Sequence, residues 1–199
     1  SETARLASEF ASAWGSAEEG ALAGWLHDLG KYGDLFQDLL AGKAVRINHA
    51  AAGAFAVAKT YKQGLAASVA IMGHHDGLET ADPRGSLRRF HSETVDESNR
   101  RYSSTDYESL MRRFRSDGCT LPPYVSSAFS NSTSRTGSML DIRMLYSALV
   151  DADFLATEAH FSRNENGLLY RSGGPPLNAE ALLGRLAGYR ETVRHKSTA

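Results

Sequence analysis

The chain has 199 residues, 42% of them hydrophobic and 23% charged, which is enough for one well-buried domain and short for two. Lys and Arg total 22 against 23 Asp and Glu, a net charge of −1, so no global positive field exists to hold nucleic acid and any such binding is local. A single cysteine, Cys119, excludes an internal disulfide framework and a cysteine-rich zinc site and fits a reducing, cytoplasmic setting. No window approaches the ~18 consecutive apolar residues of a membrane span, and no signal peptide is visible.

Periodicity predicts helices almost throughout. Leu6, Phe10 and Trp14 recur every four residues, and Ser16 with Glu19 has capping-box spacing before Leu22, Trp25, Leu26 and Leu29. Gly30 suits a left-handed C-cap after His27-Asp28, and a short helix from Asp34 to Leu40 runs until Gly42. The small residues after His49 allow close helix packing, and a fifth helix from Leu65 to Met72 leads into Gly73-His74-His75-Asp76-Gly77. From about Leu78 to Thr105 the chain is polar and aperiodic, a long irregular excursion from the core. Eight arginines lie against five acids between Arg84 and Arg115. Thr105 with Glu108 is expected to cap a helix that stops at Gly118, and Ser130 to Gly137 reads as another irregular connection. From Ser138 to about Phe161 the pattern is apolar around the whole circumference, as in a helix at the centre of a domain. Asn178 caps a last amphipathic helix carrying Leu182, Leu186, Tyr189 and Val193. No run alternates convincingly as a strand, so the predicted class is all-α.

The chemistry sits where helices end. Four of the seven histidines fall between His27 and His75: His27-Asp28 closes one helix, His49 opens another, and His74-His75 closes a third. Imidazole nitrogen combined with carboxylate oxygen suits borderline and harder metals such as Mn, Fe, Co, Ni or Zn. Five candidate ligands exceed what one metal with an open catalytic position takes from protein, so two metals are the economical explanation. The apolar helix adds Asp151 and Asp153, carboxylates that need cationic partners because an unpaired buried charge costs several kcal/mol. Helical period does not choose between them, since they point to nearly opposite faces. His91, His160 and His195 lie in polar or terminal contexts and read as structural or solvated.

Taken together, His27-Asp28-Leu29-Gly30-Lys31 with Phe36-Gln37, His49 before Ala50-Ala51-Ala52-Gly53-Ala54, Gly73-His74-His75-Asp76-Gly77, and Leu149-Val150-Asp151-Ala152-Asp153 resemble the HD nuclease domain of the CRISPR-associated helicase-nuclease of type I systems. That domain belongs to the HD metal-dependent phosphohydrolase superfamily. The resemblance covers nearly the whole chain, 1–199, and implies a single globular HD-type helical domain with two divalent metal ions (Mn, Ni, Co, Fe, Mg or Zn). Carried over residue by residue, His27 and the last Asp serve one metal, His49, His74 and His75 the other, and Asp28 bridges them. The superfamily's Ala-Asp-x-Leu pattern, matched by Ala152-Asp153-Phe154-Leu155, favours Asp153 over Asp151.

The implied activity is metal-dependent endonuclease or exonuclease cleavage of single-stranded DNA in antiviral CRISPR interference. Its implied partners are a superfamily 2 helicase domain or subunit, which unwinds the target, and a CRISPR surveillance complex. Lys31 is the expected contact to a phosphate oxygen or leaving group, and Arg84, Arg88, Arg89, Arg112 and Arg113 are expected to track the DNA backbone. The chain departs from the family in one respect. The family's first helix carries a histidine, whereas no histidine precedes His27 here, so the N-terminus is expected to be truncated. The helicase domains are absent, with no phosphate-binding Gly-x-x-x-x-Gly-Lys-Ser/Thr loop. The alternatives are an HD phosphohydrolase acting on nucleotides and a catalytically weakened binding module.

Overall fold

A computed structural model describes residues 1–43, 47–61, 63–78, 103, 105–121, 135–165, 167–171, 174 and 178–197. They form eight α-helices: α1 (Glu2–Ser12), α2 (Ala17–Leu26), α3 (Asp34–Leu40), α4 (Ala50–Thr60), α5 (Leu65–Gly73), α6 (Tyr107–Ser116), α7 (Arg135–Phe161) and α8 (Ala179–Ser197). A 3-10 turn, Leu29–Tyr32, joins α2 to α3. Among the described residues there is no strand, only an isolated bridge between Asn164 and Gly167, so the fold is all-α, as periodicity predicts.

Helix α1 lies across α2 and α7, α5 packs between α4 and α7, and α6 covers α4 and the 3-10 turn. The core this creates holds Leu22, Leu26 and Leu29 against Phe55, Val57, Ile71, Leu110, Leu145 and Leu149, each contributing about 1.5–3 kcal/mol of burial. A second cluster joins Leu6 and Ala7 of α1 to Ala152 and Ala156 of α7. Small residues set the interhelical distances. A Cβ on Gly53 of α4 would stand 1.8 Å from the Leu26 carbonyl oxygen, and one on Gly20 of α2 would stand 2.4 Å from that of Ala7.

Several local expectations are corrected. Gly30 is not a left-handed cap: it lies inside the 3-10 turn, and what demands glycine there is the His49 carbonyl oxygen, 2.1 Å from the site of a Cβ. Ser16 stands at the N-cap of α2 without a side-chain cap bond, so the capping box does not close. The cap of α6 is Asp106, which accepts from the Ser109 amide at 2.8 Å, while Thr105 instead donates to Asp34 Oδ2 at 2.9 Å. Helix α7 starts at Arg135, so its first turn includes residues expected in an irregular connection.

Nor is α7 a central helix buried on all sides. Ile142, Leu145, Ala148, Leu149, Ala152, Ala156 and Ala159 face the core, but Met139, Leu140, Met144, Phe154 and Phe161 are exposed. Asn178 does cap α8, accepting from the Ala181 amide, yet the apolar residues of that helix, Leu182 to Val193, stay exposed among the described residues. Most of the polar excursion, 79–102 and 104, lies outside the described residues.

Replacing Gly53 with Ala is expected to cost about 1–3 kcal/mol through overpacking against Leu26. Gly184→Ala in α8, where a Cβ meets nothing within 4 Å, is expected not to destabilise, since Ala is the better helix former by ~1 kcal/mol. Urea denaturation of the two variants checks the contrast.

Candidate metal centre

Five of the six sequence-predicted ligands come from helix ends. His27 is the C-cap of α2, Asp28 opens the 3-10 turn, His49 is the N-cap of α4, and His74 follows α5 with His75 beside it. Asp153 comes from the middle of α7. The backbone orients two of the imidazoles. His27 Nδ1 donates to the Gly24 carbonyl at 3.0 Å and His74 Nδ1 to the Ile71 carbonyl at 2.6 Å. Those carbonyls belong to the last helical turns, where the regular ladder leaves acceptors unused. With Nδ1 committed outward, each ring turns Nε2 into the site, the arrangement by which a ligating histidine is fixed in tautomer and direction.

All six residues converge. Donor atoms of Asp28, His49, His74 and His75 lie within 4.8 Å of one another, as do those of His27, His74 and Asp153. Asp28 spans the two groups: its Oδ1 is 3.1 Å from His49 Nε2, and its Oδ2 is 3.1 Å from His27 Nε2. Asp153 Oδ1 stands 3.3 Å from His27 Nε2. His75 Nε2 and His49 Nε2 are 2.9 Å apart. Asp151, the alternative ligand, is exposed on the other side of α7 and outside both groups.

Buried polar atoms normally find hydrogen-bond partners. Here His74 Nε2 is buried without one, while His27 Nε2, though it makes no regular hydrogen bond, has the Asp28 and Asp153 carboxylates at 3.1 and 3.3 Å. Burial, reinforced by His27 and His75 nearby, lowers the His74 pKa to about 4, so at neutral pH the imidazole holds a lone pair that nothing accepts. Leaving a buried acceptor unpaired costs about 1–3 kcal/mol, which a bound cation would relieve. For His27, burial opposes the charged form, but the carboxylates of Asp153 and Asp28 outweigh it and raise the pKa to about 9. Asp28 is only half-buried; its partial desolvation opposes ionisation, yet His27, His49 and Lys31 hold it far below the usual carboxylate range. Asp153 is lowered by His27 in spite of burial. The residues therefore fit a divalent cation by donor type, convergence and unsatisfied valence.

Lys31 Nζ sits 2.6 Å from Asp28 Oδ2 and 6.0 Å from the centre of the Phe36 ring, with its side chain 45% exposed at the rim. Arg113 does not present a free cation. Its Nη1 donates to the Tyr32 carbonyl at 2.6 Å and to Asp34 Oδ1 at 2.8 Å. Together with the bond from the Tyr32 hydroxyl to Asp117 at 2.7 Å, it fastens the turn after Asp28 to α6. Arg112 is exposed and donates to Ser109 Oγ. Arg84, Arg88, Arg89 and His91 lie outside the described residues, and His160 and His195 are exposed on α7 and α8. The role of Arg113 in holding the turn, and those of the Gly24 and Ile71 carbonyls, went unpredicted. Carbonyls leave no trace in sequence, since every residue supplies one.

No protein-family model matches the chain, and neither the curated proteins nor the solved structures searched contain a significant match. Donor geometry is thus the argument for the site. After chelation, Mn2+ supplied at ~100 times its dissociation constant is expected to stabilise the fold by about 2.7 kcal/mol, a rise of roughly 5–10 °C in melting temperature for a chain of this size. His74→Ala should remove most of that rise and His160→Ala none of it. Thermal melts with and without cation make the comparison, and an undiminished rise in His74→Ala would exclude the site.

Proposed function

We propose that this chain is a metal-dependent phosphodiesterase that cuts single-stranded DNA, serving as the nuclease part of a CRISPR-type interference system in which a helicase opens the target. The observation that carries the reading is Asp28, whose two oxygens each touch a histidine from a different donor group. That is the bridging role implied by the resemblance to HD nucleases. His27 and Asp153 would hold one divalent cation and His49, His74 and His75 a second, with Asp28 shared between them; the donor atoms of these residues fall in two overlapping groups. Two such cations supply Lewis acidity, an activated water and charge stabilisation on the leaving oxygen.

The residues themselves do the positioning. Asp28 stays anionic because three cationic or hydrogen-bonding partners surround it, and His74 stays neutral because it is buried. Lys31, partly exposed beside Asp28, can swing to a nonbridging phosphate oxygen once a cation competes for that carboxylate. Without bound cations the two carboxylates are already matched by His27 and Lys31, which leaves no net positive charge for a phosphodiester, so substrate binding would be coupled to cation binding.

Chelated protein is expected to leave single-stranded DNA intact, and readdition of Mn, Co, Ni, Zn or Mg to restore cutting with at least one of them. Asp28→Ala and His74→Ala should each lower the rate at least ~100-fold, at or beyond the upper end of what even outer-shell partners cost, with His160→Ala as control. Unchanged cleavage in both variants would overturn the proposal, and hydrolysis of mononucleotides with intact DNA would move it to nucleotide phosphohydrolase. Among the arginines, Arg112→Ala is expected to flatten the salt dependence of DNA binding by about one ion equivalent. Arg113→Ala should leave that slope alone and lower the melting temperature instead, because its charge is engaged by Asp34 and Tyr32.

A further inference from the structure

Beside the donor cluster lies a cleft of about 480 Å³ that shares a wall with it, because His49 and His75 line both. The far side is apolar, built from Phe36 and Leu39 of α3 and from Ile47. Asn48 and Asp76 complete the rim. Asn48 Oδ1 is engaged by the Ala50 amide at 2.9 Å, which leaves its amide group as a donor. The Phe36 ring is half-buried and stands edge-on to His49, with centroids 5.3 Å apart and planes 72° apart. The ring thus touches the donor cluster, and Lys31 Nζ stands 6.0 Å from its centroid. An apolar wall that includes an aromatic ring, a polar rim with one donor and one carboxylate acceptor, and a volume suited to a small organic group describe a site for a heteroaromatic ring.

We infer that this cleft is a nucleobase subsite: a phosphate held at the donor cluster places the base of the attached nucleoside against Phe36. The inference rests on the phosphodiesterase reading and supplies it with a reason for strand selectivity contained in this chain. A base can enter the cleft only after leaving its stack and its pair, which costs a duplex a few kcal/mol that a single strand is spared. Stacking on an aromatic ring tolerates every base, since each has a π-face, and gives general rather than sequence-specific grip. Leu39 and Ile47 shield the ring's surroundings from water, and the Asn48 amide and the Asp76 carboxylate meet the polar edge of the base.

The test is a binding measurement, independent of turnover. Titration calorimetry on the Mn2+-supplemented protein compares dAMP with 2-deoxyribose 5-phosphate, which carries the same phosphate and sugar without a base. The wild-type chain is expected to prefer dAMP by about tenfold, as one stacked base implies. Phe36→Tyr should keep the preference, while Phe36→Ala and the volume-conserving Phe36→Leu should bring the two ligands close to equality. The Mn2+-induced melting shift should persist in all three variants and so report an intact fold and donor cluster. Equal affinities in the wild type, a preference unchanged in Phe36→Ala, or no detectable dAMP binding would overturn the inference. Cleavage of single-stranded DNA without a dAMP preference would remove the subsite and leave the nuclease reading standing. A dAMP preference lost in Phe36→Ala, with DNA uncut under every cation, would do the reverse.

Discussion

The centre depends on a backbone approach. The His49 carbonyl oxygen lies 2.1 Å from where a Cβ on Gly30 would stand, and the Leu26 carbonyl oxygen 1.8 Å from one on Gly53. These two contacts press the start of α4 onto the end of α2 and the turn that follows it. Any side chain at either glycine would wedge the elements apart. Because His49 is the N-cap of α4 and His27-Asp28 the exit from α2, that approach is what sets His49 within 3.1 Å of Asp28. Helix α5 then seats on α4 and α7, bringing His74 and Asp153 to the opposite side. The packing that makes the core and the packing that gathers the donors are the same contacts.

Such a gathering is electrostatically uneven in the free protein. His27 is flanked by two carboxylates and takes up charge in spite of burial, whereas His74 loses it to burial. The first group retains a proton that a cation must displace, and the second offers an unpaired lone pair. A fold selected for stability alone would satisfy or remove that buried acceptor. That it stands unpaired, with Nδ1 of both rings tied to helix-end carbonyls, fits a site whose donors are oriented in advance for a cation.

Helix content was legible from periodicity because each helix has a side that must be buried, and the donor residues drew notice because imidazoles clustered at predicted helix ends. What stayed hidden was phase and proximity. Asp151 and Asp153 differ only by which side of α7 meets the core. That is settled by Leu149, Ala152 and Ala156 packing inward, a matter of partners distant in sequence. The same blindness made α7 look central, since the exposure of Met144 and Phe154 depends on what lies across from them. Gly30 was read as a turn residue because sequence signals conformation more readily than close approach. Arg113, counted among the arginines expected on DNA, is held by Asp34 and the Tyr32 carbonyl, partners that appear only once α6 is placed over the 3-10 turn.

Those pairings change what the near-neutral composition means. Lys31, the cation in contact with the donor cluster, is bound to Asp28, and Arg113 is committed to the scaffold, so neither adds free positive charge for an approaching polyanion. Asp28 and Asp153 are held ionised by their histidine neighbours, and their charge faces the same space a phosphate would enter. Under the proposed function, attraction at the centre would then come from divalent cations held by the donor cluster. It would act over the short distance of direct coordination, where monovalent salt screens little, and not through a basic surface that counterions compete for. Under the proposed function the affinity for a phosphodiester would follow divalent-cation occupancy far more steeply than ionic strength, and a strand would reach the site by being delivered rather than by being drawn in from afar.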